Sequence, residues 1–83
     1  MKPSEYTVLD FLGRTRLSLP PSVLHYNMVK SGHEIGYSTV KANLASLSEH
    51  NLVTKEKEEE GYYAITDRGI AYLEGELDPD EID

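Results

Sequence analysis

The sequence contains no cysteine among its 83 residues, and this absence excludes several kinds of protein. Without cysteine there is no disulfide framework, no zinc site built on thiolates and no cysteine nucleophile. No apolar run approaches the roughly 20 residues that a membrane-spanning helix requires. The first residues, MKPSEYTVLDFLG, lack the long apolar stretch and the small-residue cleavage site of a signal peptide. We therefore expect a soluble, cytoplasmic protein without a membrane partner.

The sequence also lacks the spacings that support catalysis or cofactor binding. His25, His33 and His50 do not follow the spacing of metal ligands, and no glycine-rich loop follows a strand. Ser22 and Ser38 have no neighbouring base in a recognisable nucleophile arrangement, and a domain of this size has little room for a deep pocket. We therefore expect no enzyme activity, no cofactor, no metal and no small-molecule ligand.

Basic residues are few, eight against fifteen acidic ones, which gives a formal net charge of -7 at pH 7. The charge is unevenly distributed along the chain. Residues 1–55 hold six bases and four acids, a balance of +2, whereas residues 56–83 hold two bases and eleven acids, a balance of -9. The acid is concentrated in the last third, so the net charge alone does not exclude an anionic partner for the first two-thirds.

The first part of the chain predicts two helices separated by a short extended segment. Ser4 can cap the first helix and Gly13 can end it. The segment RTRLSL suits a brief edge strand or an extended connector. Pro20 and Pro21 favour the start of a second helix, because a proline in the first turn loses no hydrogen bond, and Ser31-Gly32 can end it. The predicted inner face of this second helix is Val23, Leu24, Asn27 and Met28.

The third predicted helix has the most regular pattern in the chain. Ser38 stands just before a run in which Val40, Leu44 and Leu47 form one apolar stripe at positions i, i+4 and i+7. Asparagine tolerates the left-handed backbone conformation, so Asn51 can end this helix.

A hairpin and a final helix complete the predicted order. LVTKE and YYAIT are two β-prone runs joined by a loop that contains glycine. Thr66 or Asp67 can cap a last helix, whose apolar residues are Ile70, Leu73 and Leu77. Two helices joined by a short turn, the second leading into a hairpin, form a winged helix-turn-helix. We predict an α+β fold with a three-helix core, a two-stranded wing and a C-terminal helix over residues 1–77, followed by an acidic disordered tail over 78–83.

Four segments resemble a known family of regulators. STVKANLASLSEHNLV is similar to the recognition helix and following strand of winged-helix transcription regulators, although Asn51 stands where those families usually have glycine. YYAITDRGIAYL is similar to their second wing strand and closing helix. LPPSVLHYNM and the acidic ending GELDPDEID most resemble haloarchaeal proteins related to the halophage phi-H repressor. The resemblance covers about residues 6–78 and implies sequence-specific binding of double-stranded DNA in transcription control, as a repressor and often as a homodimer.

The outer face of the third predicted helix is the candidate DNA-binding surface, over about residues 38–50. The N-terminal part of a recognition helix meets base edges in the major groove, where hydroxyls and lysine can bind bases or phosphates and alanine allows close approach. The candidate residues on this helix are Tyr37, Ser38, Thr39, Lys41, Ala42 and Ala45. The same alanine- and serine-rich face also suits an ordinary solvated helix, and Tyr37 can equally be a packing residue.

Four basic residues outside this helix are further candidates for DNA contact. Arg14 and Arg16 lie beside the helix-turn-helix and can hold phosphates, although such pairs are also common as plain surface charge. Lys55 and Lys57 share one face of the wing by strand alternation, whereas Glu58–Glu60 at the wing tip would repel phosphate. The wing therefore contacts DNA through its two lysines or is lifted away from it.

A second hypothesis assigns the chain to a different class of function. A winged-helix domain can also be a protein interaction module, here one that acts through its acidic wing and tail. DNA binding requires the outer face of residues 37–46, whereas the alternative requires the acidic residues 56–60. The number of chains in the active form is left open, and the first and last helices are the expected contact surfaces if a dimer forms.

Overall fold

The structure is a computed structural model that describes residues 1–56 and 61–76. Its elements in chain order are α1 (Pro3–Thr15), α2 (Pro21–Lys30), α3 (Tyr37–Glu49), β1 (Val53–Lys55), β2 (Tyr63–Ile65) and α4 (Asp67–Leu73). The two strands form an antiparallel hairpin. This order confirms the predicted α+β winged helix-turn-helix. Leu77, the wing residues 57–60 and the predicted tail 78–83 lie outside the described residues.

Helix α1 starts one position before the predicted cap. Its first residue is Pro3, and the residue before a proline is held in an extended conformation, so the N-cap is Lys2 rather than Ser4. Lys2 has no side-chain oxygen with which to cap. Instead its backbone N–H donates to the carboxylate of Glu5 at 3.1 Å, as in one half of a capping box.

The predicted stop of α1 at Gly13 is wrong. The helix continues to Thr15 and ends where Arg16 adopts the left-handed conformation, with φ 56°. Gly13 is a packing position, because Cδ1 of the Leu73 side chain lies so close that a Cβ atom there would displace it. Glycine at this point of α1 therefore lets the Leu73 side chain of α4 approach the helix.

Helix α2 starts at the predicted proline pair, but its inner face is narrower than predicted. Leu24 and Met28 are fully buried. Val23 was predicted to face the core and is instead 41% exposed. Asn27 uses its side-chain amide to donate to the carbonyl of Val23 at 2.8 Å, one turn earlier on the same helix. The buried stripe of α2 is therefore a single i, i+4 pair.

The start of α3 also differs from the prediction. Its N-cap is Gly36, whose carbonyl already accepts the first helical hydrogen bond from Val40 at 3.1 Å. Ser38 is therefore a helical residue with an exposed side chain and not the cap. Because glycine has no side chain, no hydroxyl or carboxylate of the N-cap residue covers the N–H groups of the first turn of α3.

The end of α3 confirms the prediction for Asn51, which has φ 62°. The N–H of Asn51 donates to the carbonyl of Ser48 at 3.0 Å, and the N–H of Leu52 donates to that of Leu47 at 3.0 Å. These two bonds are those of a Schellman motif, which satisfies the last carbonyls of a helix. The chain thereby turns directly from α3 into β1.

The second strand of the wing pairs with β1 on one side and with Leu19, before α2, on the other. Val53, Thr54 and Lys55 of β1 pair with Ile65, Ala64 and Tyr63 of β2. Leu19 adds a further bridge to Tyr63, with both backbone hydrogen bonds at 2.9 Å, so the predicted brief edge strand consists of one residue pair. Thr66 caps α4 as predicted, since its hydroxyl accepts from the N–H of Gly69 at 3.0 Å.

The hydrophobic core joins the first three helices to the base of the wing. Its fully buried side chains come from α1, α2, α3 and the segment that enters β1, namely Val8, Leu9, Leu12, Leu24, Met28, Val40, Leu44, Leu47, Leu52 and Val53. Asn43 of α3 is the buried polar side chain in the described part of the chain, at 5% exposure. Its amide nitrogen has no hydrogen-bond partner among the described residues.

Replacing Asn43 with leucine should therefore stabilise the domain. A buried donor without a partner costs roughly 1–3 kcal/mol of desolvation, so its removal should raise the free energy of unfolding by about 1 kcal/mol. Urea denaturation followed by circular dichroism would measure the change. The matched control is Asn27→Leu, which removes an amide that does have a partner and should not stabilise. A loss of stability in Asn43→Leu would contradict this expectation.

Candidate nucleic-acid interface

The outer surface of α3 is formed by residues from its first two and a half turns. The helix places Val40, Leu44 and Leu47 in the core, as the apolar stripe predicted. The opposite side exposes Tyr37, Ser38, Thr39, Lys41, Ala42 and Ala45, which we call the α3 face, and the exposed Glu49 follows on the same side at the end of the helix. All six candidate residues on this helix are thus accessible to a partner.

The α3 face is free of acidic residues in an otherwise acidic chain. No Asp or Glu occurs between Glu34, in the turn before the helix, and Glu49, its last residue. Lys41 is the one charged side chain between them. Ala42 and Ala45 are the smallest residues that still have a Cβ, so the helix backbone can approach a flat or grooved surface closely. This combination fits a polyanion better than it fits a cation.

Lys41 is held by an aromatic ring on the same helix. Its Nζ lies 5.6 Å from the centroid of the Tyr37 ring, one turn earlier, at a distance typical of a cation–π interaction. The two side chains therefore form a pair in which the ammonium is directed by the ring. Tyr37 remains 44% exposed, so the pair is open to solvent.

Helix α2 supports this pair through His25. Nε2 of His25 lies 3.0 Å from the carbonyl oxygen of Ile35, in the turn just before α3. The ring of His25 also meets that of Tyr37 edge to face, with centroids 6.0 Å apart and planes at 69°. Tyr37 is therefore both a packing residue and an exposed residue, and the two sequence-based interpretations of it are compatible.

A shallow cleft adjoins the first turn of α3. It has a volume of about 300 Å³ and is lined by Ser4, Thr7, His33, Glu34, Ile35, Gly36 and Thr39. Thr39 links this cleft to the α3 face. Glu34 is one of the lining residues, so its negative charge disfavours a phosphate in the cleft and marks one boundary of the acid-free α3 face.

A hydrogen bond to α1 marks another boundary of the α3 face. Ser46 is half-buried, and its hydroxyl bonds to the carboxylate of Glu5. Partial burial raises the pKa of Glu5, but the hydrogen bonds from Lys2 and Ser46 and the nearby positive charges outweigh burial and lower it. Ser46 is thus engaged within the domain, whereas Ala45 beside it is exposed.

The two arginines do not form a pair on a connector. Arg14 lies in the last turn of α1, and its Nε donates to Asp10 at 2.7 Å. This hydrogen bond and the charge of Asp10 raise the pKa of Arg14. Arg16 follows the helix, and its Nε donates to the carbonyl of Gly13 at 3.0 Å. Both side chains are exposed, but each guanidinium already has a partner on α1.

The wing contributes one described candidate. Lys55 is exposed at the end of β1, opposite Tyr63 in the hairpin register. The next residue, Glu56, closes the pairing through its N–H to the carbonyl of Tyr62. Lys57 and Glu58–Glu60 lie outside the described residues, so both predictions for the wing tip stay predictions.

His33 and three of the aromatic side chains make ring contacts within the domain. His33 contacts the ring of Phe11 at 6.0 Å, and Tyr72 contacts that of Tyr6 at 6.5 Å. Within residues 1–56 and 61–76, no cluster of three or more histidine or acidic side chains has the arrangement of a metal site. Over the same ranges, no helix combines the length and apolar character needed to cross a membrane.

Two residues near the α3 face were missed by the sequence interpretation. The role of His25 was not predicted, because its hydrogen bond to Ile35 and its contact with Tyr37 cross between elements and leave no trace in local spacing. Asn43 lies three residues after Val40 and next to Leu44, so the helical period alone places it in the core. Because asparagine is polar, it was not predicted to be a core residue.

Fold and surface together define a small winged helix-turn-helix domain whose third helix presents an accessible, acid-free face. The family model described as winged helix-turn-helix phage repressor matches residues 1–83. The chain therefore belongs to this family, whose description is that of a DNA-binding regulator. Neither a curated protein nor a solved structure matches the chain significantly.

Proposed function

We propose that the protein is a sequence-specific transcription repressor and that α3 is its recognition helix. The observation that carries the proposal is the α3 face, six exposed side chains without an acid, with Lys41 directed by Tyr37. Lysine and hydroxyl groups are donors for base edges and phosphates, and alanine methyl groups can contact thymine methyls. Family membership supports the same function.

The proposal assigns different tasks to different parts of the α3 face. Ser38, Thr39 and Ala42 lie where the N-terminal half of a recognition helix meets base edges. Tyr37 and Lys41 provide a hydroxyl and an ammonium for the phosphate backbone, and these contacts fix the register in which the base-reading residues meet the DNA. Lys55 is proposed to hold a phosphate beside the wing. Arg14 and Arg16 are weaker candidates, because each already has a hydrogen-bond partner on α1.

The acidic composition is compatible with this function in concentrated salt. At about 1 M ionic strength the screening length is about 3 Å, so carboxylates in the last third of the chain repel DNA at the α3 face very little. We propose that the protein works in a salt-accumulating cell, as the haloarchaeal resemblance implies, and that its net charge of -7 serves solubility. Sequence reading by α3 must then supply most of the affinity, because screening weakens nonspecific attraction.

The proposal is tested by a mobility-shift titration in high salt with the DNA upstream of the protein's own gene. The expected result is a shift that unlabelled upstream DNA competes away and unrelated DNA of the same length does not. Complexes of stepwise lower mobility would reveal whether one chain or a homodimer binds. If no native DNA fragment shifts over a range of salt concentrations, the proposal is wrong.

Replacing Lys41 with alanine should weaken binding and change its salt dependence. If Lys41 neutralises one phosphate, the slope of log affinity against log salt should fall in magnitude by about one unit. The measurement is the same titration at four or more salt concentrations. The control is Lys30→Ala, which removes an equal charge from the end of α2 and should leave the slope unchanged. An unchanged slope in Lys41→Ala would show that Lys41 contacts solvent and does not neutralise a phosphate.

The protein-interaction alternative depends on residues 56–60 and on the tail. Of these, Glu56 is described, and it takes part in the hairpin through its backbone. No contact among the described residues favours this alternative. Neutralising Glu58–Glu60 should leave DNA retention intact under our proposal, and should remove the partner under the alternative.

A further inference from the structure

We infer that His25 of α2 is a positioning residue for DNA recognition, because it fixes the orientation of the Tyr37–Lys41 pair on the α3 face. The inference rests on the proposed function and deepens it. His25 is half-buried between α2 and the start of α3, and its ring contacts the turn before α3 and the ring of Tyr37. We infer that it acts on binding through these two contacts.

The first contact fixes the backbone that leads into α3. A carbonyl oxygen can only accept, so Nε2 of His25 carries the hydrogen and donates to the carbonyl of Ile35 at 3.0 Å. Ile35 is two residues before Tyr37 and packs against the core. Gly36 lies between them, and because it has no side chain its backbone can rotate more freely than that of other residues. The hydrogen bond from His25 restrains the turn at this point.

The second contact fixes the ring of Tyr37. Its edge-to-face contact with His25 has the centroid separation and steep interplanar angle that favour such pairs. A ring held on one side by His25 presents its outer side to Lys41, whose Nζ lies 5.6 Å from the centroid. The three side chains form a chain of contacts that runs from α2 to the exposed ammonium.

These contacts order the Lys41 side chain before DNA binds. A free lysine side chain loses rotamer freedom when it docks on a phosphate, and this loss opposes binding. A lysine already directed by Tyr37 loses less. Loss of His25 should therefore reduce discrimination between operator and unrelated DNA by about three- to tenfold, because the operator complex requires the exact geometry and loose complexes do not.

The test compares His25→Gln with His33→Gln in the full chain. The operator probe is the DNA upstream of the protein's own gene, and the unrelated probe is other DNA of the same length. Both histidines are half-buried and both contact an aromatic ring, but His33 contacts Phe11 and not Tyr37. His25→Gln keeps an N–H donor for Ile35 and removes the ring. The expected result is a three- to tenfold lower ratio of operator to unrelated-DNA affinity in His25→Gln, and a change under twofold in His33→Gln. His25→Phe, which restores a ring beside Tyr37, should recover part of the ratio.

A measurement without DNA separates this inference from the proposed function. In the free protein, the methylene protons of Lys41 next to Nζ should show an upfield NMR shift from the Tyr37 ring, and His25→Gln should reduce it while His33→Gln should not. If the wild type discriminates its operator and His25→Gln does so equally well, the inference is overturned. If the wild type binds no DNA specifically, the proposed function fails, and an unchanged Lys41 shift in His25→Gln would overturn the positioning role as well.

Discussion

Replacing Gly69 with alanine is expected to destabilise the domain by about 3 kcal/mol or more, the upper range for overpacking in a well-packed interior. Gly69 is buried in α4, and a Cβ atom there would collide with the backbone carbonyl of Leu52 and lie 2.7 Å from Cγ1 of Ile65. The carbonyl of Leu52 cannot move freely, because it also accepts a hydrogen bond from the N–H of Thr66 at 3.1 Å. The collision therefore involves fixed backbone.

Two opposing effects decide the sign of this change. Alanine favours a helix over glycine by about 1 kcal/mol, so helix propensity alone would make Gly69→Ala stabilising. The steric cost is larger, and it acts on a chain whose total stability is about 4–12 kcal/mol at 0.05–0.15 kcal/mol per residue. Urea denaturation would measure the difference. Gly36→Ala is the control, because nothing lies within 4 Å of a Cβ there and its cost should stay below about 1 kcal/mol. A more stable Gly69→Ala would show that α4 does not pack on Leu52 in this way.

Replacing Ala42 with glutamate is expected to reduce operator affinity by about 100-fold or more while leaving the fold intact. Ala42 is exposed near the centre of the α3 face, one residue after Lys41. A carboxylate there would oppose the phosphates and crowd the approach of the helix, and a like-charge contact in an interface costs several kcal/mol, with 1.4 kcal/mol for each tenfold. The measurement is the operator titration at a salt concentration where the wild type binds.

Two further variants isolate the cause of that loss. Ala42→Gln adds the same bulk without charge and should lose less affinity, by the margin that charge repulsion contributes. Val29→Glu adds the same charge at an exposed position of α2 that is not part of the α3 face, and should bind nearly as the wild type does. Equal losses in Ala42→Glu and Val29→Glu would mean that net charge controls binding and that α3 has no special role.

The helical period of the sequence was sufficient to place the α3 face. Val40, Leu44 and Leu47 repeat at the interval of one or two turns, and burying them leaves Ala42 and Ala45 outside whatever the neighbours are. The turn at Asn51 was likewise predictable, because asparagine is one of the few residues that adopt φ near 60° at little cost. The hairpin and the capping of α4 by Thr66 depend on short local signals and were also predicted.

Helix boundaries were the weaker part of the prediction. The sequence offers Ser4 and Ser38 as N-caps, yet α1 starts after Lys2 and α3 starts after Gly36. In α1 the rigid ring of Pro3 sets the position. In α3 the N-cap is already Gly36, after a turn whose Ile35 carbonyl lies 3.0 Å from Nε2 of His25 on α2, and the local pattern around Ser38 does not contain this contact.

The sequence by itself therefore determined which elements form, which face of α3 is exposed and where acid is absent, since periodicity and charge are local properties. Only the tertiary structure decided what Gly13 and Gly69 pack against, that the buried amide nitrogen of Asn43 has no partner among the described residues, and which residue directs Tyr37. Each of these depends on atoms that are distant in the chain and adjacent in space. The Lys41 ammonium depends on both kinds of information. Its exposure follows from its position on the helix, whereas its direction follows from contacts with α2.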